Sequence, residues 1–359
     1  MQIIYNGKKS IDEILEKSKQ CKYETEELKD SFLVYGDNFD GLSLLLNRGF
    51  EGKIDLVYID PPFNTAQSFF VDESRQSTIS MSKSDKIAFS DKLSLDEYLE
   101  FIRERVVLIH KLLSEKGSLY FHIDTKMGHY CKVILDEIFG QENFKNDITR
   151  IKSNPKNFSR NAYGNEKDIV LFYAKNANKN IWNDVTEPLT QKDIEKLYKK
   201  QDARGFYTTI PLHAPGETKD GPTGKMWRGM YPPKGRHWRT NPAEFDELDK
   251  NGLIEWSSNG NPRIKKYASD HKGKKIQDIW DFKDPQYPSY PTQKNADMLK
   301  RIILQSSNPE SIVLDCFAGS GTTLLAAAKL GRKFIGIDSS EVAINIIKNR
   351  LTQNGISYN

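Results

Sequence analysis

Two short segments of the chain carry residue types that could hold a ligand and act on it. In the first, Asp60-Pro-Pro-Phe63 directly follows an apolar run, Ile54 to Ile59, that is typical of a buried strand. An acid and a peptide carbonyl at the carboxyl end of a strand form a double acceptor that suits an exocyclic amino group. Two prolines fix the backbone there, and an aromatic ring offers a face on which a base can stack. The alternative is a plain turn after a strand, but this combination is rare in such turns, and we favour a functional role.

The second segment is a glycine-rich turn, Phe317-Ala-Gly-Ser-Gly321, between a predicted strand at Ile312 to Cys316 and a predicted helix at Thr322 to Leu330. Glycines let the backbone approach a ligand closely, and a helix N-terminus offers unpaired N–H groups. Asp338 ends the next predicted strand, 17 residues beyond the last glycine, where it could hydrogen-bond the two hydroxyls of a ribose. A dinucleotide fingerprint would need a third glycine near Leu324, so an adenosine cofactor without phosphates fits better. A tight strand–helix turn with no ligand is the alternative.

Strands and helices alternate on both sides of these segments. The alternation predicts a doubly wound, mostly parallel α/β sheet with helices on both faces. Further strands are predicted at Phe32 to Tyr35, Leu119 to Ile123 and Phe334 to Ile337, and further helices at Leu95 to Leu113, Tyr130 to Phe139, Ala296 to Gln305 and Glu341 to Leu351. We expect the antiparallel strand at the sheet edge to come from the pair Ile148 to Lys152 and Asp168 to Tyr173. Residues 65–92 show no sustained period, and we expect a long loop there.

The middle of the chain, residues 176–290, differs in composition from the rest. It contains all five tryptophans among many prolines and glycines, and no clean period persists. We interpret it as an inserted domain, because five tryptophans are unusual in a flexible tether. Between Arg150 and Arg301 there are 29 Lys and Arg against 19 Asp and Glu, although the whole chain has a formal net charge of only +4. This surplus suggests a polyanion partner, and a lysine-rich solvated surface is the alternative.

Composition narrows the class of protein further. With 37% hydrophobic and 28% charged residues, the 359-residue chain can bury a sizeable core, which argues against global disorder. Three scattered cysteines and six dispersed histidines give neither a disulfide framework nor metal-ligand spacing, so no metal site is predicted. No apolar run is long enough to cross a bilayer, and the first residues lack a signal-peptide pattern. We therefore expect a cytoplasmic protein without a membrane partner.

The motifs and their order resemble those of DNA amino-methyltransferases. Asp60-Pro-Pro-Phe63 looks like the catalytic motif of that family, and Phe317-Ala-Gly-Ser-Gly321 looks like its S-adenosylmethionine motif. Because the catalytic motif comes first, with a basic insert between the two, the chain resembles the β group. That group includes type II enzymes and the modification subunits of type III restriction systems. Tyr35-Gly-Asp37, Gly117 to Asp124 and Pro291-Thr-Gln-Lys294 also resemble family segments.

The resemblance implies a Rossmann-like, circularly permuted methyltransferase fold with a smaller inserted target-recognition domain. Residues 1–175 would form the catalytic half, 176–290 the DNA-binding insert and 291–359 the S-adenosylmethionine-binding half. The implied reaction is sequence-specific methyl transfer from S-adenosylmethionine to the N6 amino group of an adenine flipped out of double-stranded DNA. A second copy of the chain and a cognate restriction subunit are the further partners that the resemblance brings into consideration.

The resemblance also suggests roles for single residues. The expected catalytic residues are Asp60, Pro61, Pro62 and Phe63. The expected cofactor-binding residues are Asp37, Thr292, Gln293, Lys294, Asp315, Phe317, Ala318, Gly319, Ser320, Gly321, Thr322 and Asp338. The expected DNA contacts are Asn64, Arg236, Trp238 and Arg239, although the last three could equally form the core and rim of a small domain.

Three other functions were weighed against adenine methylation. A cytosine-N4 methyltransferase would share the fold and the cofactor, but family members acting on cytosine tend to carry serine where this chain has Asp60. A catalytically inactive DNA-binding or regulatory module of the same fold is disfavoured by the intact acid, prolines, aromatic residue and glycine turn. A nicotinamide dehydrogenase is disfavoured by Leu324 and by the Asp-Pro-Pro-Phe sequence.

Overall fold

The computed structural model describes residues 2–21, 31–62, 68–72, 75–78, 86–90, 93–154, 161–218, 220–286 and 293–358, and within 63–92 it describes only strand backbone. The chain divides into two compact units. The larger unit comprises Met1–Val185 and Gln277–Asn359, and the smaller unit comprises Thr186–Ile276. The smaller unit lies within the segment that the sequence marks as an insert, and its assignment to DNA recognition stays a prediction.

The larger unit contains both strands and helices. Its strands are β1 (Phe32–Tyr35), β2 (Ile54–Ile59), β3 (Ser68–Asp72), β4 (Arg75–Thr78), β5 (Lys86–Ser90), β6 (Leu113–Ile123), β7 (Phe144–Ile151), β8 (Lys167–Ala174), β17 (Ile279–Asp281), β18 (Ile312–Asp315) and β19 (Lys333–Asp338). Its helices are α1 (Ile11–Lys19), α2 (Asn38–Asn47), α3 (Leu95–Leu112), α4 (Thr125–Phe139), α7 (Ala296–Ser306), α8 (Thr322–Lys329) and α9 (Glu341–Gln353).

The main sheet has eight strands in the order β1-β19-β18-β2-β6-β8-β7-β17. In this sheet β1, β19, β18, β2 and β6 run parallel, whereas β8 is antiparallel to both β6 and β7. This arrangement confirms the predicted mostly parallel α/β sheet. The permuted order is visible as well, because β18 and β19 come last in the chain and lie between β1 and β2 in the sheet.

Two local predictions about the larger unit were wrong. The pair β7 and β8 was expected at the sheet edge, but β17 pairs in parallel with β7 and lies outside it. Residues 65–92 were expected to be a loop, but β3 pairs antiparallel with both β4 and β5 to form a small separate sheet. Both differences involve strands of three to five residues, in which the alternation of apolar and polar residues is too brief to be read.

The apolar strands reflect burial on both faces of the sheet. In β2, Ile54, Leu56, Val57, Tyr58 and Ile59 are all at most 2% exposed. A strand covered on both sides has no polar face, so its sequence reads as a continuous apolar run. The same core includes apolar residues of three helices, among them Leu42 of α2, Val106 of α3 and Ile134 of α4.

The two chain segments that border the smaller unit are anchored within the larger one. Before the insert, the Asn183 backbone N–H donates to the Gln305 carbonyl oxygen at 2.8 Å, and its side-chain amide donates to the carbonyl oxygens of Leu304 and Ser307 at 2.8 and 2.9 Å. After the insert, β17 pairs with β7 from Ile279 to Asp281. Both borders are therefore held by backbone that belongs to regular elements.

The smaller unit has its own sheet and its own core. Its strands are β9 (Thr186–Glu187), β10 (Lys200–Asp202), β11 (Gly205–Pro211), β12 (His213–Pro215), β13 (Arg236–Trp238), β14 (Ile254–Trp256), β15 (Pro262–Tyr267) and β16 (Lys274–Lys275), and its helices are α5 (Gln191–Leu197) and α6 (Pro242–Lys250). The strands β10, β11, β15 and β14 form an antiparallel sheet. Phe245 of α6 is fully buried in the core, with ring centroids 5.3 Å from Trp227 and 5.7 Å from Trp238.

Among the described residues, no helix combines the length and the apolar character needed to cross a lipid bilayer. The longest described helix, α3, runs for 18 residues and carries charged residues such as Glu97, Arg103 and Arg105.

Phe245→Ala should destabilise the smaller unit selectively. Removing a ring that packs between two indoles leaves a cavity, and the expected loss in free energy of unfolding is about 3–5 kcal/mol. Urea unfolding followed by tryptophan fluorescence measures it, since Trp227 and Trp238 report from this core. The matched control is Phe206→Ala in β11, because the Phe206 side chain is 36% exposed. Equal unfolding midpoints for the two variants would contradict the core assignment.

Candidate active site

Four acids that the sequence assigns to the site lie at one edge of the main sheet. The strands β1, β19, β18 and β2 are neighbours and run parallel, so their carboxyl ends lie at the same edge. These ends lead into Asp37, Asp338, Asp315 and Asp60, respectively. The edge therefore collects four acids, and ligands of open α/β sheets bind at this end of the strands. The Asp60 segment follows β2, and the glycine turn follows β18. These two segments are predicted to act together, and their strands are adjacent in the sheet.

The glycine turn is held in place by two acids. Asp315 accepts a hydrogen bond from the Phe317 backbone N–H at 3.0 Å. Asp338 accepts one from the Gly319 N–H at 2.7 Å and another from the Ser340 N–H at 2.8 Å, one on each carboxylate oxygen. Each oxygen of a carboxylate can accept more than one hydrogen bond, so Asp338 keeps acceptor capacity for a ligand hydroxyl. Both acids shape the turn, and their contacts with a cofactor stay predictions.

The end of the turn requires glycine for two separate reasons. Gly321 caps α8 with φ of 70°, a left-handed conformation that residues with a Cβ rarely adopt. A Cβ built there would also stand 2.7 Å from Cγ1 of Ile347. Next to it, the Ser320 and Thr322 hydroxyls lie 2.9 Å apart, and Arg350 donates to the Ser320 carbonyl oxygen at 2.5 Å. Side chains from α9 thus fix the turn from behind.

Asp37 carries out a structural task at the end of β1. Its carboxylate caps α2 by accepting from the N–H groups of Phe39 and Asp40. Arg105 of α3 donates to both Asp37 oxygens, at 3.1 and 3.2 Å, and is itself buried. The Asp37 side chain is still 51% exposed, so part of it faces outward from these partners.

Arg105 is a residue of this site that sequence reasoning missed. Its guanidinium lies 3.8 Å from the ring centroid of Phe101, and that ring packs edge-on against Phe317 of the glycine turn at 6.0 Å. A cation on an aromatic face, tied to a carboxylate, links α3 to both β1 and the turn. The sequence signal was an arginine on the apolar side of a helix, between Phe101 and Val106.

Asp60 has different surroundings for its two oxygens. Oδ2 pairs with Nζ of Lys294 at 2.5 Å, and both side chains are largely buried. Oδ1 is buried and, among the described residues, has no hydrogen-bond donor. Nδ1 of His122 lies 3.9 Å from Oδ1, which is beyond hydrogen-bond reach. The carboxylate is thus paired with Lys294 through one oxygen, and its other oxygen is enclosed without a donor among the described residues.

The residues that follow Asp60 are described only in part. Pro61 is buried, and the Pro62 carbonyl oxygen accepts a hydrogen bond from the Tyr98 hydroxyl of α3 at 2.7 Å. Tyr98 was not singled out in the sequence, although it fixes the backbone of the motif. The predicted roles of Phe63 and Asn64 lie outside the described residues.

The segment before α7 is brought to Asp60 through Lys294. The sequence resemblance assigned Lys294 to the cofactor, and the structure pairs it with the acid of the other motif. Gln293 is half-buried beside it, and Thr292 lies outside the described residues. Asn295 follows, and its side chain caps α7 by accepting from the N–H groups of Asp297 and Met298.

The predicted DNA contacts of the smaller unit differ in exposure. Arg236 and Arg239 are exposed, and Arg239 also donates to the Pro211 carbonyl oxygen at 2.9 Å. Trp238 is only 3% exposed, and its indole N–H donates to the Lys225 carbonyl oxygen at 2.7 Å. The core position of Trp238 leaves its ring unavailable for stacking on a base in this conformation. It supports β13, which carries Arg236.

The positive charge around β13 also shows in a neighbouring histidine. Burial, together with the charges of Arg236, Arg239 and Arg263, lowers the pKa of His213. These cations belong to the same unit and act on one group, so they form a local basic patch. Among the residues that the structure describes, no group of His, Cys, Asp and Glu side chains could hold a metal ion.

The chain is similar in sequence to known DNA-modifying proteins. The family described as DNA methylase matches residues 54–349. The chain is 41% identical to the type II methyltransferase M.EcaI of Enterobacter cloacae, over 96% of this chain and 76% of that protein. It is 27% identical to the type III restriction-modification enzyme StyLTI Mod subunit of Salmonella typhimurium, and it spans 54% of that subunit.

A solved structure shows the same fold at low sequence identity. The cytosine-N4-specific PvuII DNA methyltransferase aligns with a TM-score of 0.52 over 93% of this chain and 92% of that one. The two sequences are 13% identical, so the likeness concerns the arrangement of strands and helices alone.

Gly321→Ala should cost more stability than Gly331→Ala. Both glycines have positive φ, of 70° and 74°, but a Cβ at position 331 would meet nothing within 4 Å. We expect a loss of about 1 kcal/mol for Gly331→Ala, from backbone strain alone, and at least about 2 kcal/mol for Gly321→Ala, where the clash with Ile347 adds to it. Urea unfolding compares the two variants. Equal losses would show that the packing behind the turn is loose.

The free energy of unfolding should depend on pH through Asp315. Burial raises the pKa of this acid from its ordinary value of 3.8 to about 7. Between these values the folded chain holds a proton that the unfolded chain has lost, so stability falls as pH rises from about 4 to about 7. Asp315→Asn removes this titration. The free energy of unfolding of the variant, relative to that of the native chain, should rise by up to about 1.4 kcal/mol per pH unit in that window. Parallel pH profiles in urea unfolding of the cofactor-free proteins would contradict it.

Proposed function

The chain belongs to the DNA methylase family, and from this premise we propose that it methylates the N6 amino group of adenine in DNA. As a member of the family it is a DNA methyltransferase, and its methyl donor is S-adenosylmethionine. Family membership covers amino groups of both adenine and cytosine, so the choice of base and the roles of single residues belong to the proposal.

The observation that carries the proposal is the divided environment of Asp60. Lys294 neutralises one oxygen, and the other is buried without a donor among the described residues. A buried acceptor without a donor costs free energy, and a substrate amino group that reaches it recovers that loss. The position of Asp60 after β2, beside the glycine turn of β18, puts this acceptor next to the predicted cofactor site.

The amino nitrogen of a nucleobase is a poor nucleophile, because its lone pair is delocalised into the ring. Asp60 and the Pro61 carbonyl would accept the two amino hydrogens, which favours tetrahedral geometry at nitrogen and directs its lone pair outward. The work of these residues is therefore positioning and polarisation, without a covalent intermediate. Asp60 would also receive the proton that the methylated nitrogen loses and pass it to water.

The residues at the strand ends fit the donor groups of the cofactor. S-adenosylmethionine supplies an activated methyl group on a sulfonium when it is bound. Asp338 would accept hydrogen bonds from its ribose hydroxyls, and Asp37 would meet the edge of its adenine with the part of the carboxylate that Arg105 leaves exposed. The backbone from Phe317 to Thr322 would enclose it, with Gly319 and Gly321 giving close approach.

The target base must leave the DNA stack before its amino group can reach Asp60. Phe63 would hold the flipped base by stacking, and Asn64 would contact the DNA beside it. The smaller unit would recognise the duplex through exposed cations near β13, Arg236 and Arg239 among them.

Adenine is favoured over cytosine by the acid itself. Family members that act on cytosine tend to carry serine at the position of Asp60, and this chain has the acid. The names of the type II and type III relatives also support a role in restriction and modification. We include a restriction subunit and a second copy of the chain as proposed partners.

Asp60→Asn should reduce methyl transfer by at least about 100-fold while leaving S-adenosylmethionine affinity within about threefold. An amide matches the shape of the carboxylate but removes its charge and the ion pair with Lys294. Labelled methyl incorporation into DNA and calorimetric cofactor binding measure the two effects, and hydrolysis of the product to nucleosides identifies the base.

The matched control is Asp55→Asn. Asp55 lies near the start of the same strand and accepts from the Ser114 hydroxyl at 2.8 Å, away from the carboxyl end. Its replacement should leave methyl transfer near the native rate. Native turnover in Asp60→Asn would refute the role of Asp60, and N4-methylcytosine as the product would refute the choice of adenine while leaving that role intact.

A further inference from the structure

We propose that His122 is a positioning residue for Asp60: held as one tautomer by Tyr58 and Asp168, it keeps the inner oxygen of Asp60 open as an acceptor. The inference rests on the proposed role of Asp60 and adds a residue to which the resemblance of Gly117 to Asp124 attached no role. His122 lies in β6 within the run Leu119 to Ile123 and is fully buried.

A row of polar side chains crosses the main sheet behind Asp60. Tyr58 of β2 contacts His122 of β6, and His122 contacts Asp168 of β8, which pairs with Arg150 of β7. The strand register places them on one face, because Tyr58 is opposite Tyr120, which is two residues before His122, and Arg150 is opposite Asp168. Burying such a row of polar side chains costs free energy of folding unless each group has a hydrogen-bond or ion-pair partner.

Asp168 is the charged end of the row. Lys152 pairs with its Oδ1 at 2.6 Å, and Arg150 lies 3.6 Å from its Oδ2. Arg150 is fully buried and is also held by the Phe282 carbonyl oxygen at 2.8 Å and by the Asp284 carboxylate. Burial alone would raise the pKa of Asp168, but the contacts with His122 and Lys152 lower it. Asp168 is therefore ionised and can only accept hydrogen bonds.

The ionised Asp168 fixes the tautomer of His122. Full burial disfavours the charged imidazole and lowers the pKa of His122, so the ring carries one N–H. Nε2 lies 3.4 Å from Oδ2 of Asp168, which cannot donate, and the proton is therefore on Nε2. Nδ1 has only a lone pair, and it accepts the Tyr58 hydroxyl at 2.8 Å. Burial raises the pKa of Tyr58 well above its ordinary value, so this hydroxyl keeps its proton.

This tautomer matters because Nδ1 of His122 also lies close to Oδ1 of Asp60. Its distance to Oδ1 of Asp60 is 3.9 Å, and in this tautomer Nδ1 has no proton to give. The Tyr58 hydroxyl, whose pKa responds to the charge of Asp60, is engaged with Nδ1. His122 thus binds the hydroxyl of Tyr58 at 2.8 Å, and we expect this side chain to shift toward Oδ1 when the imidazole is absent. The oxygen stays available for a substrate amino group.

The test compares single-turnover methyl incorporation into DNA for several variants. His122→Leu releases the Tyr58 hydroxyl, and we expect the rate to fall about 10- to 100-fold with S-adenosylmethionine affinity unchanged. Tyr58→Phe combined with His122→Leu removes the released hydroxyl, and the double variant should be at least about fivefold faster than His122→Leu. A loss caused by damaged packing alone would be deepened by the second substitution, so recovery separates the two explanations.

Two further variants complete the design. His122→Asn keeps an acceptor near the position of Nδ1 and should retain a higher rate than His122→Leu, and it serves if the leucine variant does not fold. Tyr120→Phe is the matched control, because Tyr120 is equally buried and its hydroxyl bonds Ser306 at 2.7 Å. Its rate should stay within about twofold of the native rate.

A native rate in His122→Leu, a double variant no faster than the single one, or a His122→Asn rate as low as that of His122→Leu would overturn the inference. Because the readout is methyl incorporation into either base, a cytosine product would refute the choice of adenine without touching His122. If Asp60→Asn were fully active, the role of Asp60 and this inference would fail together. If Asp60→Asn were inactive and His122→Leu fully active, only this inference would fail.

Discussion

A carboxylate oxygen that has no donor in the protein is a stronger acceptor for a substrate amino group than one that already accepts a hydrogen bond. Inside a protein, however, an unpaired anionic oxygen is expensive. At the end of β2 the charge of Asp60 is balanced on one oxygen by Lys294, and the other oxygen lies 3.9 Å from Nδ1 of His122, which carries no proton in the proposed tautomer. Most features of the site follow from maintaining this asymmetry.

The sheet topology supplies the means of maintaining it. The parallel strands β1, β19, β18 and β2 bring the acids to one edge, and the change to antiparallel pairing at β8 places Asp168 opposite Arg150. The interior of that half of the sheet can therefore hold a chain of partnered charges that ends on His122. At the glycine turn and the end of β1, Arg105 and the backbone N–H groups of the turn bind the remaining acids. Each acid thus has a structural partner before any ligand is considered.

The sequence predicted the parts of this arrangement that depend on local pattern. It predicted apolar strands such as β2, the glycine turn and the order of the motifs. These features were predictable because burial and backbone conformation restrict which residue types occur. The short strands β3, β4, β5 and β17 were missed because three to five residues do not establish a period.

The contacts that tune the site were not predictable from local pattern, since they join residues far apart in the chain. Lys294 and Asp60 are separated by more than 230 positions, and Asp168 reaches His122 only through the pairing of β6 with β8. The polar residues inside apolar segments, Arg105 in α3 and His122 in β6, were the available signals. They indicate that a partner exists, but the partner is identified only by the fold. For Trp238 the sequence left a DNA contact and a core position open, and the ring lies in the core of the smaller unit.

The anchoring of the insert at Asn183 and β17 has a consequence for how such chains can diversify. The borders are fastened to α7 by the backbone and side chain of Asn183 and to β7 by the pairing of β17, so they do not depend on which side chains the intervening segment carries. A segment of different length and sequence could be transplanted between residues 186 and 276 without cutting any strand of the eight-stranded sheet. Exchange of that segment at these two borders would replace the whole smaller unit and leave the eight-stranded sheet, with Asp60 and the glycine turn at its edge, unchanged.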